Sequence, residues 1–305
     1  MDEKFLQNIL QEYYGLANIS IKFLRKGGSD TYLVQGDQTY FLKVIGNAFS
    51  KTARKSVDIM VYLESHGFPV PSTILTRSGE ALLEITINGS QFLIVLQEYV
   101  DGDEPDLLVR AGEVGKLTGR LHQLLQQYSE KLIEQDKHFF VGRYLNFLRL
   151  KNYPRISEYE AIAETLWQKV LGQPKCNCHG DLHRGNLLED RTGKIYCLDF
   201  DTVCYAPRMF DIMVMCDMTD YFRLQQPDVE RTLEVYKQFL SGYMHDHVLT
   251  EEEQSSFSTW VAIRHFQLQA TIVEIYGIEC MKESFADAQL DWLKQWLELH
   301  GAEGV

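Results

Sequence analysis

The hydrophobic period of this chain changes near residue 100, and that change constrains the fold more than any other feature. Before it, the sequence reads as short strands around one helix. Residues 19–25 and 31–35 flank the polar run Lys26-Gly27-Gly28-Ser29-Asp30, and Gly36-Asp37 separates the second of them from residues 40–45. This pattern predicts a meander of antiparallel hairpins. Ala53, Val57, Met60 and Leu63 recur at spacings of three and four, so residues 50–65 are expected to form a helix with one apolar face. Gly67 ends it, and Pro69 and Pro71 prevent its continuation. Residues 81–87 and 92–99 bracket Asn88-Gly89, the strongest short-range hairpin signal. After Asp101-Gly102-Asp103-Glu104-Pro105 the period becomes helical, over 107–128, 140–151, 157–171, 228–245, 255–276 and the segment carrying Trp292 and Trp296. Residues 176–207 interrupt it, with apolar runs at 186–188 and 195–200 that predict a β-hairpin carrying loops. The expected class is α+β and two-lobed. A small antiparallel-sheet lobe with one main helix would span 1–98, and a larger, mainly helical lobe 99–305.

Composition excludes several function classes. With 305 residues, 45% of them apolar and 24% charged, the chain is an ordinary globular one of about two domains. Forty-three acidic against 30 basic side chains give a formal charge of -13, which repels a phosphate backbone, so no nucleic-acid partner is expected. Apolar runs such as 92–96 fall far short of the roughly 20 residues that span a membrane. The opening Met1-Asp2-Glu3-Lys4 lacks the apolar region of an export signal, and six unevenly spaced cysteines are too sparse for a disulfide framework. A cytoplasmic protein with no membrane partner is predicted. No fixed-period repeat is present.

Chemistry concentrates in His179-Gly180-Asp181-Leu182-His183-Arg184-Gly185-Asn186, followed by Leu198-Asp199-Phe200-Asp201. Asp181 and Asn186 stand five apart in a glycine-bearing loop that leads into the hairpin, and Asp199 stands at its far end. Carboxylate and amide oxygens suit a hard cation such as Mg²⁺, whose shell is completed by water and substrate phosphates. The plainer alternative is a set of capping and turn residues, the usual occupants of such loops. Lys43 favours the first reading. It interrupts the apolar strand Tyr40-Phe41-Leu42-Lys43-Val44-Ile45, where a buried ammonium needs an anionic partner such as a nucleotide phosphate. A solvent-facing edge lysine is its alternative. Backbone N–H groups of Gly27, Gly28, Ser29 and Asp30 are placed to cover phosphates, or simply to turn a hairpin.

The order of glycine loop, strand lysine, helix, hinge, Asp-x4-Asn loop and post-hairpin Asp resembles the protein-kinase-like fold. More narrowly, His-Gly-Asp-Leu-His-x-Gly-Asn with Leu-Asp-Phe-Asp resembles the aminoglycoside phosphotransferase and choline kinase family of small-molecule kinases. Tyr14-Gly15-Leu16, Gly28-Ser29-Asp30-Thr31-Tyr32 and Gly67-Phe68-Pro69-Val70-Pro71 are similar to its bacterial homoserine-kinase-like branch. The resemblance implies an ATP- or GTP-dependent, Mg²⁺-requiring enzyme that phosphorylates a hydroxyl of a small molecule: an amino alcohol, an amino acid such as homoserine, a sugar or an aminoglycoside. Asp181 then matches the catalytic aspartate that orients the acceptor hydroxyl. Asn186 and Asp199 match the metal ligands, and Lys43 the lysine that holds the α- and β-phosphates. Glu98 and Val100 fall at the hinge that reads adenine through backbone groups. Asp201 reaches the metal's outer shell or caps a turn. His183, like His179, orients the loop, because the well-separated ligand pairs of a zinc site are missing around Cys176 and Cys178. Asp211 matches an aspartate that braces the catalytic loop by accepting backbone hydrogen bonds.

One departure stands out. Kinase-like folds pair the strand lysine with a glutamate on the next helix, and Arg54-Lys55-Ser56-Val57-Asp58 offers Asp58 as the nearest acid, with Glu64 close to the helix end. The acceptor is expected along 255–279, where Trp260, Arg264, His265, Glu274, Tyr276 and Glu279 lie. There the glutamates suit an amine, and Arg264 and His265 suit a carboxylate. Two other functions share this pattern, a protein Ser/Thr kinase of the same fold and a non-catalytic nucleotide-binding pseudokinase, in a monomer or homodimer.

Overall fold

The computed structural model describes residues 1–26, 29–46, 50–87 and 89–300, with backbone alone at 50 and 51. In chain order the elements are α1 (Glu3–Ile9), β1 (Ser20–Lys26), β2 (Ser29–Gln35), β3 (Thr39–Gly46), α2 (Ser50–Ser65), β4 (Leu83–Ile87), β5 (Ser90–Glu98) and β6 (Gly102–Asp103). There follow α3 (Leu107–Gln127), α4 (Arg143–Leu150), α5 (Ile156–Val170), β7 (Lys175–Cys178), β8 (Leu187–Asp190), β9 (Ile195–Cys197) and β10 (Cys204–Pro207). The last are α6 (Met209–Cys216), α7 (Gln226–Tyr243), α8 (Glu251–Ser255), α9 (Phe257–Tyr276) and α10 (Glu283–Leu299). No helix among the described residues is long and apolar enough to cross a membrane.

Contacts divide the chain into two compact units. Met1–Pro105 and Arg184–Val203 make the first; Asp106–His183 and Cys204 onward make the second. The 98/99 boundary expected from the change of period therefore differs from the contact boundary. The hairpin β8–β9 joins the first unit because β6 pairs with β8, Gly102 opposite Asp190 and Asp103 opposite Glu189.

In the first unit five antiparallel strands run in the order β1-β2-β3-β5-β4: β1 to β3 form the predicted meander, and β4 and β5 pair as predicted, with β5 beside β3. Strands carry side chains to alternate faces. Leu42 and Val44 of β3 accordingly join Tyr32, Val34, Ile94 and Leu96 in a core capped by Leu6, Ile9 and Leu10 of the amino-terminal helix. Ile45, on the other face, joins Val95, Leu93 and the α2 residues Ala53 and Val57. Lys43 shares that second face by register, opposite Thr31 on β2 and Val95 on β5. The α2 helix stops as its sequence predicted: Gly67 takes φ 66°, and the N–H of Phe68 reaches back 2.9 Å to the carbonyl of Leu63.

The second unit is mainly helical. Its central helix, α9, buries Trp260, Val261, Ala262, Ile263, Phe266 and Ala270 around its circumference, which is the signature of a helix enclosed on all sides. α3 and α7 approach closely along glycines: a Cβ on Gly242 would stand 1.8 Å from the carbonyl oxygen of Gly112, and one on Gly115 2.1 Å from that of Phe239. Two features escape the sequence pattern. All eight residues of α6 are buried, so it shows no polar face and no period. β7 pairs antiparallel with β10, Cys204 opposite Cys178, across a long intervening segment.

Candidate active site

In the first unit Lys43 is the organising charge. Its ammonium Nζ lies 2.8 Å from Oδ1 of Asp199 and 3.6 Å from Oδ2 of Asp201, and its side chain is 14% exposed. Burial pushes the ammonium pKa down, but Asp199 and Asp201, with the hydrogen bond to Asp199, outweigh it and hold the value above that of an ordinary lysine. Lys43 is thus charged at neutral pH. Its acids come from beyond the β8–β9 hairpin and not from α2, where Asp58 is exposed and Glu64 accepts the backbone N–H of Thr73 at 3.2 Å.

The hairpin explains why Asp199 and Asn186 are neighbours. Leu187 pairs with Cys197, and the N–H of Leu198 donates to the carbonyl of Asn186 at 2.9 Å. Asp199 itself adopts φ 60° and ψ 65°, the left-handed region that costs a non-glycine residue about 1–2 kcal/mol. A short 3₁₀ turn over Phe200–Thr202 follows, with Phe200 fully buried, so packing holds the strained carboxylate in place. The hairpin thus sets the Asn186 backbone beside that of Leu198, next to Asp199, and an amide and a carboxylate are the kinds of oxygen donor a hard divalent cation takes. Ser29 opens β2 opposite Ile45, two residues from Lys43 across the ladder, while Gly28 lies outside the described residues. Glu98 ends β5 and gives its N–H to Ser72 at 2.9 Å, so of its two backbone groups the carbonyl alone can serve a ligand; Val100 follows in the strand's exit.

In the second unit, Asp181 and Asp211 define the loop after β7. Asp211, completely buried on α6, accepts the N–H of His179 at 2.7 Å and that of Gly180 at 2.8 Å. Its Oδ2 also pairs with Nε2 of His122 at 3.0 Å, whose Nδ1 meets the hydroxyl of Tyr243 at 2.8 Å. Burial opposes ionisation of Asp211, but the hydrogen bond and charge of His122 and the backbone donors hold its carboxyl below the usual range. Cys176 and Cys178 cluster with this same histidine: their sulfurs are 3.6 Å apart, and the ligand atoms of the three residues lie within 4.8 Å of one another. Both nitrogens of His122 are already engaged. His122 carries no sequence signal beyond its place on the apolar face of α3.

Asp181 is partly exposed. Nη2 of Arg264 lies 3.2 Å from its Oδ1, and Nε2 of His183 3.7 Å from its Oδ2. The other residues expected along 255–279 go elsewhere: Trp260 and His265 are fully buried, Glu274 pairs with Arg143 at 2.7 Å and Glu279 with Lys151 at 3.0 Å, and Tyr276 is exposed.

A family model for the phosphotransferase enzyme family, APH, matches residues 20–246, from β1 to just beyond α7. The chain belongs to that family. It is a phosphotransferase enzyme of the small-molecule kinase kind, with the kinase-like fold expected from its loops. It is 21% identical to a hydroxylysine kinase of Xenopus laevis over 322 residues, covering 90% of this phosphotransferase and 83% of the relative. A homoserine kinase of Pseudomonas aeruginosa is 26% identical over 179 residues, 54% of each chain. Among solved structures, that of an amicoumacin kinase in complex with AMP-PNP, Ca²⁺ and Ami superimposes with a TM-score of 0.74 at 20% identity, covering 98% of this chain and 94% of the other. That structural likeness extends through both units of this phosphotransferase.

Proposed function

We propose that this phosphotransferase moves the terminal phosphoryl group of ATP or GTP, with Mg²⁺, to a hydroxyl of a small amino alcohol or hydroxy amino acid. The observation that carries the reading is the 2.8 Å pair between Lys43 and Asp199 beside Asn186, a cation and two oxygen donors at one end of a hairpin. The names of the relatives support it, since hydroxylysine and homoserine both combine an amine with a hydroxyl. The nucleotide and calcium in the amicoumacin kinase complex support nucleotide and divalent-metal use.

In this reading Asn186 and Asp199 would hold the cation, which neutralises charge on the phosphate oxygens. Lys43 binds the α- and β-phosphates, and the Glu98 carbonyl with the Val100 N–H receives the base. Asp181 accepts a hydrogen bond from the acceptor hydroxyl and takes its proton late, as the new O–P bond forms and the bond to the departing nucleoside diphosphate breaks. Asp211 keeps the 179–180 backbone in place, and His183 borders Asp181. The test is ADP release from purified protein with Mg²⁺ and a panel of amino alcohols, hydroxy amino acids, sugars and aminoglycosides. ADP should form with one acceptor class, and Asp181→Ala should abolish its formation. Phosphate transferred to protein instead of to a metabolite would contradict the proposal.

A further inference from the structure

Arg264 is a charged residue on α9 flanked by the buried residues Ile263, His265 and Phe266. Its side chain is 13% exposed, and its guanidinium carbon lies 5.7 Å from the centre of the Phe210 ring. Burial of such a group is tolerated only with partners. It has two: Nη1 donates to Oε1 of Gln267, one turn along α9, and Nη2 donates to Oδ1 of Asp181 at 3.2 Å. The charge of Arg264 also favours the ionised carboxylate of Asp217, whose ionisation burial opposes. Nε makes no hydrogen bond among the described residues.

That arrangement has a specific chemistry. The Nε and Nη2 N–H groups form one edge of the planar guanidinium, a fork spaced for the two oxygens of a carboxylate. One tine is spent on Asp181 and the other has no hydrogen-bond partner among the described residues. With an acceptor that carries only a hydroxyl and an amine, Arg264 remains on Oδ1 and competes with that hydroxyl for the same oxygen. A carboxylate on the acceptor offers the fork a bidentate partner and draws it away from Asp181, which can then accept the hydroxyl.

We infer that Arg264 is a carboxylate-binding specificity residue, and that the acceptor is a small hydroxy amino acid whose hydroxyl and carboxylate are separated by only a few bonds. This rests on the role proposed for Asp181. The short spacing follows from the 3.2 Å between Nη2 and Oδ1, since both ends of one molecule must reach the two groups. The acceptor is thereby narrowed from amino alcohols in general to those that retain an acid.

Matched pairs of ligands test it. Calorimetric titration of the full chain, with AMP-PNP and Mg²⁺ present, would compare L-homoserine with 3-amino-1-propanol, and 5-hydroxylysine with its decarboxylated counterpart. The wild type should bind at least one acid about 10- to 100-fold more tightly than its decarboxylated partner, the range expected when one charge-assisted contact is lost. Arg264→Met should erase that difference, and Arg264→Lys, which keeps the charge without the fork, should retain a fraction of it. Thermal melting of both variants checks that they fold. Equal binding of both members of each pair, no binding of either acid, or a loss in Arg264→Met that is proportionate for acid and amine alike would overturn the inference. ADP release with the same compounds is read separately: absence of turnover with every acceptor removes the kinase reading, whereas the carboxylate preference is decided by the titration alone.

Discussion

Nζ of Lys43 lies 2.8 Å from Oδ1 of Asp199, although 156 residues separate the two in sequence. A strand lysine and a post-hairpin aspartate thus form one mostly buried ion pair. Lys43→Met should remove the phosphate contact and leave Asp199 without its cation. ADP release should fall by about 100-fold or more, the scale of losing one well-placed electrostatic group. Saturating nucleotide should stabilise the wild type by about 2.7 kcal/mol at a hundredfold excess over its Kd, and most of that shift should vanish in the variant's thermal melt.

Asp181 should separate chemistry from binding. Asp181→Asn keeps the size of the side chain but removes the carboxylate, and kcat should fall by about 10²- to 10⁴-fold. Nucleotide-induced stabilisation should survive, because the proposed nucleotide contacts are Lys43, Asn186, Asp199 and the end of β5. A variant whose nucleotide response disappears together with turnover would contradict this division of labour.

Asp211 accepts two backbone N–H groups and pairs with His122 in a fully buried setting. Asp211→Ala would leave three donors unsatisfied, and a loss of about 3–5 kcal/mol is expected from the midpoint of urea unfolding. The pH dependence has a definite sign. A carboxyl held below its unfolded value contributes fully above about pH 4 and loses that contribution as pH falls through the lowered folded value. Asp211→Asn should flatten the acid limb of the stability curve.

His265 is stacked on Trp292, ring centroids 4.4 Å apart, and burial pushes its imidazole down to about 3, only partly offset by Gln289. The unfolded chain therefore binds a proton that the folded chain refuses between pH 3 and about 6.5. Stability should be complete above that window and should fall by about 1.4 kcal/mol per pH unit within it from this group alone. Unfolding midpoints measured from pH 7 to pH 4 should show a shallower slope in His265→Phe.

Neighbouring glycines on facing helices should respond with opposite signs. Gly242→Ala places a methyl 1.8 Å from the Gly112 carbonyl oxygen and should cost about 3 kcal/mol or more, by forcing α3 and α7 apart. At Gly112 the added methyl meets its nearest neighbour at an ordinary 3.6 Å, so Gly112→Ala should gain up to about 1 kcal/mol from helix propensity. Thermal melts of the two variants distinguish these outcomes.

Local pattern carried far in this chain. Turn residues between short runs marked the strands of the meander, spacings of three and four marked α2 and most later helices, and Gly67 marked where α2 ends, because each of these reflects forces acting within a few residues. The 179–201 block likewise announced a loop and hairpin bearing oxygen donors, and the family match over residues 20–246 agrees with the resemblance those residues carry. The short apolar run of α6 and the strand pair β7–β10 were not legible. The first has no polar face to set a period, and the second depends on partners 26 or more residues apart.

Partnership was the province of tertiary structure. The sequence called for an anion near Lys43 and made Asp58 the nearest choice, but the sheet turns Lys43 toward Asp199 and Asp201. It contained Asp211 and His122 without linking them, and it offered Arg264 among six candidates on one stretch, of which Arg264 reaches Asp181. A buried charge requires a counterpart, and periodicity can reveal that it is buried. Which counterpart it finds depends on how distant elements pack, and no local spacing encodes that.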